Sequence, residues 1–278
     1  MMIAVFNTAN SRFVTIRSFT MLLLLVCLPG CTCVAQDSIN NKIVTLGNME
    51  VTVQTSCYKT CENPVTFINL HDDENTAIEA AENFLQSFGG TLLQLKHTDV
   101  RLIYFKIESD VHGFDPNRIF TKTGIVTSLK KLGRYNATAV RTVTRLADTI
   151  TSTFVPKPKL LVALHNNTDN KFSIRSYKLA KELKSNARKI FINPDMDPDD
   201  FVLTTELRVY KHLVERKINV VLQNNRTAID EGSLSVYAAR KGIPYINVEA
   251  QIGHLEEQIR MLNELKEIFE WYTNREPD

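Results

Sequence analysis

The sequence predicts an α/β protein: a mixed, largely parallel central sheet flanked by helices. Three observations lead there. Short apolar runs rich in β-branched residues alternate with amphipathic helical stretches along most of the chain. Several of those runs stop at polar, chemistry-bearing residues, as strands do where an open α/β sheet meets its ligand crevice. The composition, 44% hydrophobic and 23% charged over 278 residues, is that of a globular chain long enough to bury a core without metal or disulfide staples. It excludes a disordered polar chain, a collagen-like repeat and a multi-span membrane protein. A metal here would serve chemistry rather than folding.

The elements follow in order. Residues 1–35 carry Arg12 and Arg17, no acidic residue, and the apolar run Met21-Leu22-Leu23-Leu24-Leu25-Val26-Cys27-Leu28, followed by small residues. That is the pattern of an export signal, and the run is too short for a membrane span of about 20 residues. Two cleavage readings stay open. Leu28-Pro29-Gly30-Cys31 resembles a lipobox, which would leave a lipid-anchored protein beginning at Cys31, whereas cleavage after Ala35 would release a soluble one. The two leader arginines account for the formal net charge of +2, so the mature chain is balanced and offers no basic stripe for a nucleic acid. Localisation is expected to be periplasmic, secreted or lipid-anchored, with the membrane met only through such an anchor.

An N-terminal β extension is expected over 36–62, with a hairpin turning at Gly47-Asn48. Cys57 and Cys61 in this region are either a disulfide formed in an oxidising compartment or two free thiols. The remaining chain, 63–278, reads as the catalytic domain. It begins with a strand over 65–70 that ends at His71, a helix over 75–88 stopped by Gly89-Gly90, and strands over 91–96 and 101–107. A helix over 134–154 and a buried strand over 159–164 ending at His165 come next. Strands over 189–193 and 218–223 enclose a helix over 206–217. A helix over 233–241 stops at Gly242, a strand over 243–248 ends at Glu249, and one last helix covers 254–273.

Four polar clusters carry the chemistry. His71 and Glu74, three apart after a strand, can both reach one Zn²⁺ if the backbone turns there. His165 adds a second imidazole, completing a His₂Glu set that leaves a coordination position open. Asp115-Pro116-Asn117-Arg118 offers a planar guanidinium fork and an amide for a carboxylate. Glu249, closing a strand, can take and hand on a proton.

In this order, HxxE, DxNR, strand-end His and strand-end Glu resemble the zinc carboxypeptidase superfamily, and most of all its succinylglutamate desuccinylase/aspartoacylase-like branch. The stretch from Gly232-Ser233-Leu234 through Tyr237-Ala238-Ala239-Arg240-Lys241-Gly242-Ile243-Pro244 to Val248-Glu249 is similar to that branch as well, and the resemblance spans roughly 63–265. It implies a zinc carboxypeptidase-like (phosphorylase/hydrolase-like) fold and one Zn²⁺ per chain held by His71, Glu74 and His165. Asp115 would bond a ligand histidine from behind. Asn117 and Arg118 would hold the substrate carboxylate, and Glu249 would act as general base and acid toward water on the metal. The acylase type also carries an Arg shortly before DxNR that polarises the scissile carbonyl. This chain has Ile107-Glu108-Ser109-Asp110-Val111-His112 there. Arg101 is the nearest candidate and the second expected catalytic residue, with His112 as another donor. Tyr237 and Tyr245 are candidates for the tyrosine that carboxypeptidases carry.

The leading expectation is therefore an exported zinc-dependent hydrolase cleaving an amide bond near a substrate carboxylate, in a small peptide, a cell-wall peptide or an N-acyl amino acid. The alternative is a catalytically weak or inactive zinc-containing binding protein for carboxylated peptides or cell-wall fragments. A third reading is an exported α/β protein in which the four clusters coincide by chance.

Overall fold

The computed structural model describes residues 38–154 and 157–276. The expected export signal, both of its cleavage sites and Cys31 lie outside them.

The chain opens with the predicted hairpin. Strand β1 (Ser38–Leu46) pairs antiparallel with β2 (Met49–Tyr58), from Ser38↔Cys57 to Leu46↔Met49. Cys57 and Cys61 are joined in a disulfide at the end of β2. Next come β3 (Val65–Asn69), α1 (Asn75–Phe88) and β4 (Gly90–Lys96), a parallel β–α–β unit. Strands β5 (Ile103–Ile107) and β6 (Asp110–Phe114) make a separate antiparallel ribbon. It leads through a 3₁₀ turn, Pro116–Arg118, into α2 (Lys122–Leu132) and α3 (Ala137–Ser152). Then follow β7 (Leu160–Asn167), the short helices α4 (Ser176–Leu179) and α5 (Lys181–Lys184), β8 (Ala187–Phe191) and β9 (Phe201–Thr204). The chain closes with α6 (Leu207–Glu215), β10 (Val220–Gln223), α7 (Leu234–Lys241), β11 (Tyr245–Gln251), α8 (Leu255–Glu264) and α9 (Lys266–Asn274).

Nine strands form one mixed sheet in the order β1-β2-β4-β3-β7-β11-β9-β10-β8. Its centre, β4-β3-β7-β11, is parallel throughout, and antiparallel pairs lie toward both edges. Side chains alternate between the two faces with period two, so two cores result. On one face Phe67, Val162, Val202 and Val248 pack under α1, α6, α8 and α9. On the other, Ile68, Leu161, Ala163, Leu203 and Tyr245 pack under α2, α3 and α7. Among the described residues no helix is long and apolar enough to cross a membrane.

The structure departs from the sequence expectations in places with identifiable causes. Strands β7 and β11 do not stop at His165 and Glu249 but continue as partners through Asn167↔Gln251. The polar extension is tolerated because Asn166 is fully engaged: its Oδ1 accepts from the Ala77 N–H at 2.9 Å, and its amide donates to Gln258 Oε1 at 3.1 Å. Helix α2 is not evident in the sequence because Gly124 sits in its first turn. That glycine has a packing reason, since a Cβ there would meet the backbone of Gly232 and the Arg118 carbonyl. The expected last helix is two, because the Leu265 N–H is shared between the Met261 and Leu262 carbonyls in a tightened turn.

Candidate metal centre

The turn between β3 and α1 brings His71 and Glu74 onto one point. The Glu74 N–H bonds the His71 carbonyl at 3.3 Å, and both side chains face inward, 0% and 3% exposed. From β7, His165 points at the same place, on the sheet face that carries Leu161 and Ala163. His71 Nδ1 lies 2.8 Å from Glu74 Oε1 and 3.2 Å from His165 Nδ1, and His165 Nδ1 lies 3.0 Å from Glu74 Oε2. These residues are brought together from sequence positions far apart, as the spacing argument requires.

The donor chemistry fits a cation. His71 Nε2 bonds Asp115 Oδ1 at 2.9 Å. With its proton on Nε2, the ring turns the Nδ1 lone pair into the cluster, against the Glu74 carboxylate and a second imidazole nitrogen. Three electron-rich atoms meeting in a dry pocket repel unless protons or a metal ion lie between them. Their spacing of 2.8–3.2 Å falls a few tenths of an ångström inside the ~3.3 Å edge of a tetrahedron with zinc–ligand bonds of about 2.05 Å. Without a metal, protons do the work. Burial disfavours charge on His71, but Glu74 and Asp115 outweigh it and hold the ring up at about 9. Burial likewise opposes the Glu74 charge, and His71 and His165 hold that carboxyl far below the usual carboxylate range. Burial also opposes charge on Asp115, where the bonded His71 and then Arg118 and Arg101 prevail.

Asp115 is set in place by the ribbon β5–β6. Its N–H donates to Ser128 Oγ on α2 at 3.0 Å, and its Oδ1 also accepts from the Asn117 N–H at 2.8 Å. The 3₁₀ turn it caps carries Asn117 and Arg118 to the wall of a cavity of about 360 Å³. Asn117 Oδ1 accepts from the Leu234 N–H at 2.9 Å, and its Nδ2 lies 3.4 Å from His165 Nε2. Arg118 donates to the Asn117 carbonyl at 2.7 Å and forms no ion pair among the described residues. Glu249 is the direct neighbour of His165 on the next strand and lines the same cavity, its Oε1 accepting from Asn247 Nδ2 at 2.9 Å.

Arg101 reaches this cavity too, but its Nη1 bonds Glu74 Oε1 at 2.7 Å, with its side chain 46% exposed. His112 sits away from the cavity on β6, fully buried, its Nδ1 on the Arg134 carbonyl and its ring 5.2 Å from that of Phe105. Tyr245 lines the cavity, while Tyr237 packs against Phe120, their ring centroids 5.8 Å apart.

Sequence reasoning missed three contributors. Gln258 on α8 is completely buried and donates to the His165 carbonyl at 3.1 Å and the Val248 carbonyl at 3.2 Å, tying together the two strands that carry His165 and Glu249. A polar residue on the apolar stripe of the last helix was the available signal. Tyr177 and Glu231 both line the cavity and carry no motif. A second donor group, Asp197, Asp200 and His254, also comes together, but Asp200 is already satisfied by the His254 ring and the Gln251 N–H, each at 2.9 Å.

Fold and site together define a protein with a buried His–Glu–His centre of metal-ligating type at the edge of a cavity in an α/β sheet. No protein-family model matches the sequence, and no curated protein matches it. Solved structures do. The chain is similar to a metallopeptidase candidate from Shewanella amazonensis SB2B, with 12% identity, a TM-score of 0.43, and coverage of 84% of this chain and 86% of that one. It is also similar to a succinylglutamate desuccinylase/aspartoacylase from Rhodobacter sphaeroides, with 10% identity, a TM-score of 0.39, and coverage of 84% and 66%. An aspartoacylase family protein from Mesorhizobium loti matches at 13% identity and a TM-score of 0.39, covering 86% of this chain and 68% of that one.

Proposed function

We propose that the protein is an exported zinc-dependent hydrolase that cleaves an amide bond next to a substrate carboxylate. The observation that carries this reading is the convergence of His71 Nδ1, Glu74 and His165 Nδ1 within 3.2 Å, with an acid, Glu249, on the adjoining strand. Zinc bound by these three residues supplies Lewis acidity toward water and carbonyl oxygen.

The chain's own residues divide the remaining work. Asp115 fixes the His71 tautomer from behind and raises its basicity. Arg118, unpaired in the cavity, takes the substrate carboxylate through its planar fork, with Asn117 alongside. Glu249 takes a proton from the attacking water and returns it to the departing amine. Arg101 is the group nearest the cluster that can support developing charge on the carbonyl oxygen. The substrate class is a small carboxylated peptide or an N-acyl amino acid. The Cys57–Cys61 disulfide supports export, since disulfides persist in oxidising compartments, and the apolar leader supports it independently. Soluble release and lipid anchoring at Cys31 both accord with it.

One observation favours the weaker-catalyst reading. Arg101 is bound to Glu74 rather than turned toward the cavity. A guanidinium that stays there gives a zinc protein that holds carboxylated ligands with little turnover.

Elemental analysis of the purified protein and of His165→Ala, with a screen of N-acyl amino acids and short peptides, tests both. One zinc per chain, lost in the variant, together with hydrolysis supports the hydrolase. Zinc with ligand binding but no hydrolysis supports the binding protein. Absence of metal even after zinc is supplied sinks both.

A further inference from the structure

The cavity extends well beyond the metal cluster. It runs over the sheet face from His165 on β7, past Glu249 and Asn247 on β11 and Leu203 on β9, to Gln223 at the end of β10. Three strand spacings of about 4.8 Å make that roughly 14 Å. The reaction assigned above uses only the His165 end.

Among the described residues, two acceptors along this length have no partner. Glu231 Oε2 is buried without a hydrogen bond, and so is Asn247 Oδ1, whose amide nitrogen is already committed to Glu249. Buried acceptors of this kind are costly to leave unmade. Both residues line the cavity, so a ligand entering it can supply the donor that these two acceptors lack.

Among the described residues none supplies that donor. Arg118 and Glu231 face the same space, yet among the described residues they form no ion pair, and neither does Lys171, the exposed cation at the rim. Gly232, at φ +86, packs its Cα against Gly124 and the Arg118 carbonyl, and the Phe120 N–H donates to the Gly232 carbonyl at 3.0 Å. The segment carrying Glu231 is thus locked to the turn carrying Arg118, with both charges on the wall of one cavity. The buried Tyr177 hydroxyl feels both. Burial, Glu249 and Glu231 raise it above its usual range, and Arg118 opposes them.

Resting on the hydrolase reading, we propose that this cavity takes a substrate residue bearing both a carboxylate, held by Arg118, and a side-chain ammonium, held by Glu231 and Asn247. The substrate class is then a peptide or acyl derivative of a diamino acid of lysine type, rather than of an acidic or apolar one.

Calorimetry on the zinc-loaded protein tests this with L-lysine against L-norleucine, which matches it in length but lacks the ammonium. A charge-assisted bond of this kind gives lysine an advantage of about tenfold or more in Kd, and Glu231→Gln is expected to bring lysine to the norleucine level. Lysine bound no tighter than norleucine by the wild type, including the case where neither binds, overturns the proposal. A lysine preference that survives in Glu231→Gln overturns it as well. Hydrolysis of N-acetyl-alanyl-lysine and N-acetyl-alanyl-norleucine is followed alongside. If lysine binds through Glu231 while neither peptide is cleaved, the hydrolase reading falls and the ammonium site stands.

Discussion

Asp115→Asn isolates the charge behind the cluster, because almost nothing else changes. The substitution replaces one atom. The backbone stays pinned by the 3.0 Å bond from the residue-115 N–H to Ser128 Oγ, and the new amide oxygen can still accept from the Asn117 N–H and from His71 Nε2. What disappears is a negative charge 2.9 Å from His71 Nε2. Adding the ~2 Å width of the ring places that charge about 5 Å from the donor atoms, worth about 3 kcal/mol per unit charge at an effective dielectric of 20. That is an upper figure, since the Asp115 side chain is 19% exposed. The expected loss of zinc affinity is therefore roughly 10–100-fold, or about 1.4–2.8 kcal/mol. Competition with a chromophoric chelator at fixed pH and ionic strength measures it. Affinity within twofold of wild type, in a variant with an unchanged melting temperature, would refute the argument that Asp115 sustains the centre through its charge.

Other outcomes follow from the same geometry. Glu249→Gln is expected to keep its zinc and lose activity by about 10²–10⁴-fold, because an amide takes no proton at neutral pH; wild-type turnover in this variant would remove Glu249 from the mechanism. In metal-free protein, His71 is raised from 6.5 to about 9. Its contribution to stability is therefore fully present below pH 6.5 and is lost as the pH climbs through 9. Denaturant melts across that window, with and without zinc, should show the loss only without the metal. Gln258→Leu leaves the His165 and Val248 carbonyls without their side-chain donor, an expected cost of about 1–3 kcal/mol seen in the urea midpoint. Gly124→Ala places a Cβ against the backbone of Gly232 and the Arg118 carbonyl; weaker binding of carboxylate ligands is expected together with lower stability.

The central strands and α1 were legible because their signals are local. The apolar run before His71, the helical spacing of Ala77, Ala81, Phe84 and Leu85, and the Gly89 stop each speak for themselves. The candidate metal ligands were legible for another reason: a polar residue directly after an apolar run, as at His71 and His165, is costly unless it has a use. Helix α2 and strand β9 were hidden because distant partners stabilise them. Gly124 suits a helix only in view of Gly232, and β9 is four residues whose register comes from β10 and β11. Glu231 and Gln258 escaped notice for a related reason. A lone acid in a polar stretch and a lone amide in an apolar stripe acquire meaning only from groups that the fold brings near them. Arg101, expected on a strand, lies in the loop before β5, and its bond to Glu74 depends on the path of that loop and is not encoded in any spacing.

The Gln258 clamp has a consequence for how variants of this protein will behave. His165 and Glu249 ride on neighbouring strands that pair along the β7–β11 ladder and are also tied by a side-chain amide reaching up from the opposite core. The spacing between His165 and Glu249 is thus held by the ladder and braced from beneath by α8, and not from within the cavity. Substitutions on the buried side of that helix, at Met261 or Leu262 for example, touch neither the cluster nor the cavity, yet they can tilt one strand against the other. A genetic screen would score them as loss of activity and scatter them far from the cavity. Conversely, α8 is the place to look for second-site changes that restore a cavity variant whose ligand and acid have drifted apart.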